Sequence, residues 1–218
     1  MKKLLQSLLF RFGYSIHKVG SGFWDQDDVF LSLYKKCIRT DLEKKAHRMY
    51  MLYQCAQAAR VLHGDVAELG VYKGDSAKML SEVFKGTKKI LLFDTFSGLP
   101  GERSAISDNN FDDTSVGSVK EYLKEYSNVH LFPGFFPETA KNITGEYCLV
   151  YLDADLSKSI QDGLEFFYPK MVPGGFIVID DYHSKYWPRV TAVVDEFLNK
   201  IGNPLLISAP NQCIIIAR

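Results

Sequence analysis

Cysteine is sparse and scattered: Cys37, Cys55, Cys148 and Cys213 form no C-x-x-C pair. That spacing offers neither a zinc site nor a disulfide framework, and it fits a reducing compartment. A dominant charge is missing too. Lys plus Arg and Asp plus Glu both number 26, so no whole-chain field draws the protein to nucleic acid or to an anionic membrane. Nothing approaches the ~18 consecutive apolar residues of a membrane span. There is no internal repeat and no low-complexity tract. The amino-terminal MKKLLQSLLFRF starts basic, but Gln6 and Ser7 break its apolar part, Arg11 halts it, and no small-residue cleavage site follows. It does not read as a signal peptide, and a cytoplasmic location is expected.

What is present suits one domain with a helical extension. The chain has 218 residues, of which 46% are hydrophobic, enough for a sizeable core. Leu4, Leu5, Leu8, Leu9 and Phe12 share one helical face, expected to dock on the domain or on a second subunit in a homo-oligomer. A weak peripheral membrane contact through residues 1–12, helped by Lys2, Lys3 and Arg11, is the rival reading. Residues 26–62 read as helical, so 1–62 are assigned to an extension acting as lid or oligomer contact. From residue 63 to 218 strands and helices alternate. VAELG, KKILLFD, NVHLF, EYCLVYLD and FIVID read as strands, and the tail adds two short strands joined at 209–212. The expected fold class is α/β, with a doubly wound, mostly parallel seven-stranded sheet ending in an antiparallel hairpin. The polar stretch TFSGLPGERSAISDNNFDDTS after Asp94 is long for a compact domain and reads as a lid or substrate loop.

The stretch DVAELGVYKGDSAKML, residues 65–80, combines a buried strand, a glycine turn and a helix start. Such a turn aims free helix N–H groups at a pocket and leaves room for a ligand against the main chain. A dinucleotide site needs G-x-G-x-x-G. Here the spacing is Glu68-x-Gly70-x-x-x-Gly74 with Val71 and Tyr72 in between, which suits a ligand without a pyrophosphate. Asp94 ends the next strand, where a carboxylate can accept both hydroxyls of a ribose. S-adenosylmethionine matches these groups. Glu68 suits its ammonium or sulfonium side, and Ser76 with the helix N–H groups suits its carboxylate. Tyr72 and Thr95, in the turn and after Asp94, complete the expected cofactor residues.

A second constellation lies at two later strand ends. YLDADL places Asp153 and Asp155 after one strand, and IDDYH places Asp180 and Asp181 after the next. Converging carboxylates repel unless protons or a cation intervene. An all-oxygen set points to a hard divalent ion, Mg²⁺ first and Ca²⁺ or Mn²⁺ after it. Such an ion can hold neighbouring hydroxyls and acidify one of them, while a further carboxylate takes the proton. His183 is a rival base. Lys158 is a candidate counter-charge, with a solvated lysine at the helix start as the plainer reading. Phe135, Phe136, Tyr182 and Trp187 follow strand ends and could stack on an acceptor.

The strand followed by ELGVYKGDSA, then FDTFSGLP, PGFFPET, LDADLSKS and PGGFIVIDDY, in that order, resembles the TylF-type, or macrocin O-methyltransferase, family over about residues 44–200. The resemblance implies a class I methyltransferase, Rossmann-like fold, with 63–218 as the S-adenosylmethionine-binding catalytic domain. It implies metal-dependent transfer of a methyl group to a sugar hydroxyl of a small-molecule or saccharide acceptor. It also implies Asp153, Asp180 and Asp181 as Mg²⁺ ligands and Asp155 as general base. Ser157 stands where the family usually has an aromatic residue, which alters the pocket wall. Two other classes compete. A phosphohydrolase using aspartyl-phosphate chemistry also carries D-x-D after a strand, though on the first strand rather than after three. A non-catalytic binding domain would have little reason to keep buried carboxylates.

Overall fold

The computed structural model describes residues 22–39, 42–99, 111–202 and 206–218. The expected amino-terminal docking helix, with its oligomer and membrane readings, lies outside them, as do residues 100–110 of the polar stretch after Asp94.

Seven strands alternate with six helices among the described residues. They are α1 (Asp28–Cys37), α2 (Leu42–Ala59), β1 (Asp65–Leu69), α3 (Asp75–Phe84), β2 (Ile90–Asp94), α4 (Val116–Tyr122), β3 (Val129–Pro133), β4 (Tyr147–Leu152), α5 (Ser157–Phe167), β5 (Met171–Asp180), α6 (Pro188–Ile201), β6 (Leu206–Ala209) and β7 (Gln212–Ile216). The strands form one sheet in the order β3-β2-β1-β4-β5-β7-β6. Strands β1 to β5 are parallel, and β7 runs antiparallel to both β5 and β6. This is the doubly wound sheet with the terminal hairpin that the alternation predicts.

Each face of the sheet buries its own apolar layer. Phe30, Tyr34 and Cys37 of α1 recur at helical spacing and pack with Met49 and Leu52 of α2, Leu80 of α3, and Val66 and Tyr151 of the sheet. On the other face Ile160, Leu164 and Phe167 of α5 meet Val190, Val194 and Phe197 of α6 over Ala67, Val150 and Leu152. Side chains of successive strand residues therefore feed opposite layers, as the pleat requires. Helices α1 and α2, assigned by sequence to an extension, are part of the first layer. The helical stretch expected over 26–62 resolves into these two helices. Asp27 caps the first of them by accepting from Phe30 N at 2.8 Å.

Strand order reverses between β1 and β4, which lie side by side. Their carboxyl ends open into the crevice where an α/β sheet binds its ligand.

Candidate active site

The turn after β1 is built on three residues with left-handed backbone: Gly70 at φ +90°, Tyr72 at +51° and Gly74 at +83°. Gly70 is required for a steric reason. A Cβ there would sit 2.0 Å from the carbonyl oxygen of Asp153, so the turn and the D-x-D segment touch backbone to backbone. Gly74 is the N-cap of α3. Asp94 braces the same turn from β2. Its Oδ2 accepts from the amides of Val71 (2.7 Å) and Tyr72 (2.8 Å), and its Oδ1 from Phe96 N (2.7 Å). Three backbone bonds leave about one of the four acceptor positions of this carboxylate open.

A cavity of about 910 Å³ opens above these strand ends. Gly70, Tyr72, Ser76, Asp94 and Thr95 line one part of it, and Asp153, Asp155, Asp180 and Asp181 line another. Thr95 also ties its loop by donating to Gly98 O at 2.8 Å. Glu68 is placed differently from the expectation that it faces the cofactor. It is fully buried beneath the turn, away from the cavity lining, with Oε1 accepting from the Ser76 hydroxyl and Oε2 unpartnered. Burial raises its carboxyl well above the ordinary range; the Ser76 bond opposes this. Gly74 also lies outside the lining and acts through the helix cap. His183 is exposed and does not line the cavity. At φ +61° its backbone amide donates to Thr191 on α6, and its ring lies 4.1 Å from that of Tyr182.

The acidic end is crowded. Asp155 and Asp181, at φ +57° and +63°, turn their carboxyls into one pocket. Burial, then the charge of Asp153, then that of Asp181 push Asp155 well above the carboxylate range. Burial and Asp153 do the same to Asp180, while Arg48 opposes them. Asp181 is raised to about 6 by the same two causes. Tyr151 donates to Asp153 Oδ2 at 3.2 Å from the floor of the cavity. The counter-charge is Arg48 from α2, whose Nη1 lies 2.6 Å from Asp180 Oδ2. Lys158 is a solvated lysine at the start of α5, pairing with Asp162 one turn along at 2.5 Å, and does not supply the counter-charge.

Asp181 makes a testable contribution to stability. Its folded carboxyl holds a proton up to about pH 6, against an ordinary value of 3.8. Within that window the unfolded chain binds fewer protons than the folded one, so this contribution declines as pH rises. Urea denaturation of metal-free protein between pH 4 and 7 should show Asp181→Asn with a flatter decline than wild type. Parallel profiles would remove the assignment.

The model of the family described as macrocin-O-methyltransferase (TylF) matches residues 44–208. The chain belongs to that family. A relative from Streptomyces olivaceus, named 8-demethyl-8-(2,3-dimethoxy-alpha-L-rhamnosyl)-tetracenomycin-C 4'-O-methyltransferase, is 29% identical, with 84% of this chain and 77% of the relative covered. Mycinamicin III 3''-O-methyltransferase of Micromonospora griseorubida is 28% identical over 71% of this chain and 69% of the relative. Among solved structures the O-methyltransferase NovP superposes with a TM-score of 0.69 at 21% identity, covering 83% of each chain, a likeness of fold. This TylF-family chain is therefore an O-methyltransferase that uses S-adenosylmethionine. The phosphohydrolase reading finds no support. Among the described residues no helix is long and apolar enough to cross a membrane.

The donor set fits a hard divalent cation in chemistry: four oxygen-bearing carboxylates face one guanidinium, and three of them hold raised pKa values. In arrangement the fit is looser. Among the described residues no three such groups stand together in a geometry that would hold a metal ion. Arg48 and Gln212, whose amide donates to Asp180 Oδ1, are the site residues that the motifs missed.

Proposed function

We propose that this enzyme methylates a sugar hydroxyl, on a glycosylated natural product or a saccharide, with a hard divalent cation, Mg²⁺ first among them, held by Asp153, Asp180 and Asp181. The single observation that carries the reading is the shared cavity, with the glycine turn along one part and the four carboxylates along another. The relatives' names support the acceptor class, since one of them describes a rhamnosyl-bearing substrate. Four buried free thiols are consistent with a cytoplasmic setting.

In this reading the amino-terminal turn of α3, with Ser76, takes the carboxylate of the cofactor's methionine part. Asp94 offers its remaining acceptor position to the ribose while it holds the turn. When bound, the cation would supply Lewis acidity at the acceptor hydroxyl. Asp155 takes the hydroxyl proton; a buried carboxylate among like charges is a stronger base than an exposed one. His183 drops out of this reading because it is exposed and does not line the cavity. Phe135 and Tyr186, 60% and 49% exposed at the cavity rim, offer apolar faces for a sugar ring, with Trp187 beside them. Methyl transfer needs oxygen, carbon and sulfur in line, so most of the catalytic advantage comes from this positioning.

The test is methyl transfer from labelled S-adenosylmethionine to a panel of glycosides, with and without excess chelator. Turnover on glycosides that stops on chelation and returns with Mg²⁺ supports the whole reading. Turnover unaffected by chelator removes the cation. Preference for the unglycosylated cores removes the sugar.

A further inference from the structure

Arg48 reaches the acidic end of the cavity from α2, outside every motif in the sequence. Its Nη1 lies 2.6 Å from Asp180 Oδ2, with the aspartate side chain 1% exposed and that of the arginine 24% exposed. The other oxygen of Asp180 accepts from the amide of Gln212, which also reaches the Arg48 carbonyl at 3.4 Å. Both Asp180 oxygens are thus already engaged, by a helix on one side and by β7 on the other. The guanidinium is also within the field of Asp153 and Asp181, the other two residues assigned to the cation. A guanidinium cannot lose its proton inside a protein, so it remains a fixed positive charge in the space a divalent ion would enter.

We propose that Arg48 is the resident counter-ion of the acidic site and competes with a divalent cation for Asp180. The inference rests on the cation reading above. Two cations side by side in a partly buried pocket repel, and one Asp180 oxygen cannot serve both at full strength. Metal entry therefore requires Arg48 to release Oδ2. Its side chain, partly solvent-accessible on a helix flank, has somewhere to go. The free enzyme would then bind metal more weakly than its four carboxylates alone would dictate.

The probe is Mn²⁺, titrated into the full-length protein and followed by electron paramagnetic resonance without cofactor or acceptor. Arg48→Met should bind Mn²⁺ about tenfold or more tightly than wild type, with Arg48→Lys in between. Equal or weaker binding by Arg48→Met overturns the proposal. Binding by Arg48→Met when free wild type binds none also supports it, and the chelator test on turnover decides the cation's part in the reaction. Equal binding by both leaves the cation and removes the competition; binding by neither removes both. Should Arg48→Met fail to fold, wild type answers alone. Phenylglyoxal modification of Arg48, mapped by peptide mass, should accelerate when Mn²⁺ is added. An unchanged or slower rate overturns the competition.

Discussion

Asp155→Asn should lower the methyl-transfer rate by about 10²–10⁴-fold, leave S-adenosylhomocysteine affinity unchanged, and raise the melting temperature. The three outcomes follow from one environment. Asp155 follows β4 with its backbone at φ +57°, and burial together with Asp153 and Asp181 makes its ionised form unfavourable. Asparagine keeps the size and much of the hydrogen bonding, removes one of four crowded carboxyls, and cannot accept the proton. A merely structural aspartate would behave oppositely, losing stability along with activity. Rate measured at saturating cofactor, calorimetric titration with S-adenosylhomocysteine and a thermal melt separate the cases. Wild-type turnover in the variant would place the base elsewhere.

The parts of this site written in contiguous residues were legible. The glycine turn, the D-x-D after β4 and the Asp-Asp ending β5 are each local, and the order of alternating strands brings their ends to one crevice. Long-range pairing was not legible. Arg48 and Asp180 are 132 positions apart in the chain, and nothing around HRMYM marks an arginine destined for an acidic pocket. The general signal was there, since four converging carboxylates demand a counter-charge, but the nearby Lys158 reads better as a solvated lysine at a helix start, and no motif singles out Arg48. Backbone conformation hid the rest. His183 follows Asp181 by two positions, yet left-handed residues at 181 and 183 turn the imidazole out while the aspartate points in. Such conformations at Tyr72, Asp155 and Asp181 carry no glycine to announce them. Glu68 precedes the turn, and from sequence alone that position implies a side chain facing the ligand. Ser76, arriving above it from α3, closes it off from the cavity.

Gly70→Ala should be the most damaging glycine-to-alanine change among the described residues, costing about 3–5 kcal/mol of stability or abolishing folding. The new Cβ would meet the backbone of β4's end on three atoms: Asp153 O at 2.0 Å, Asp153 C at 2.5 Å and Ala154 N at 2.9 Å. None is the tip of a flexible side chain that can step aside. The left-handed φ adds about 1–2 kcal/mol for any L side chain. Relief requires β1 and β4 to part where Asp153 N donates to Leu69 O at 2.9 Å, and that separation would pull the glycine turn away from the D-x-D. Gly74→Ala is the matched control. It shares the positive φ, but its nearest neighbour is a side-chain methyl, Val119 Cγ1, at 3.2 Å, so it should cost only about 1–2 kcal/mol and keep cofactor binding. Urea midpoints and S-adenosylhomocysteine titrations on the two variants test the difference. If Gly70→Ala binds cofactor as tightly as Gly74→Ala, contact between the two strand ends is not what holds the methyl donor's turn against the acidic cluster.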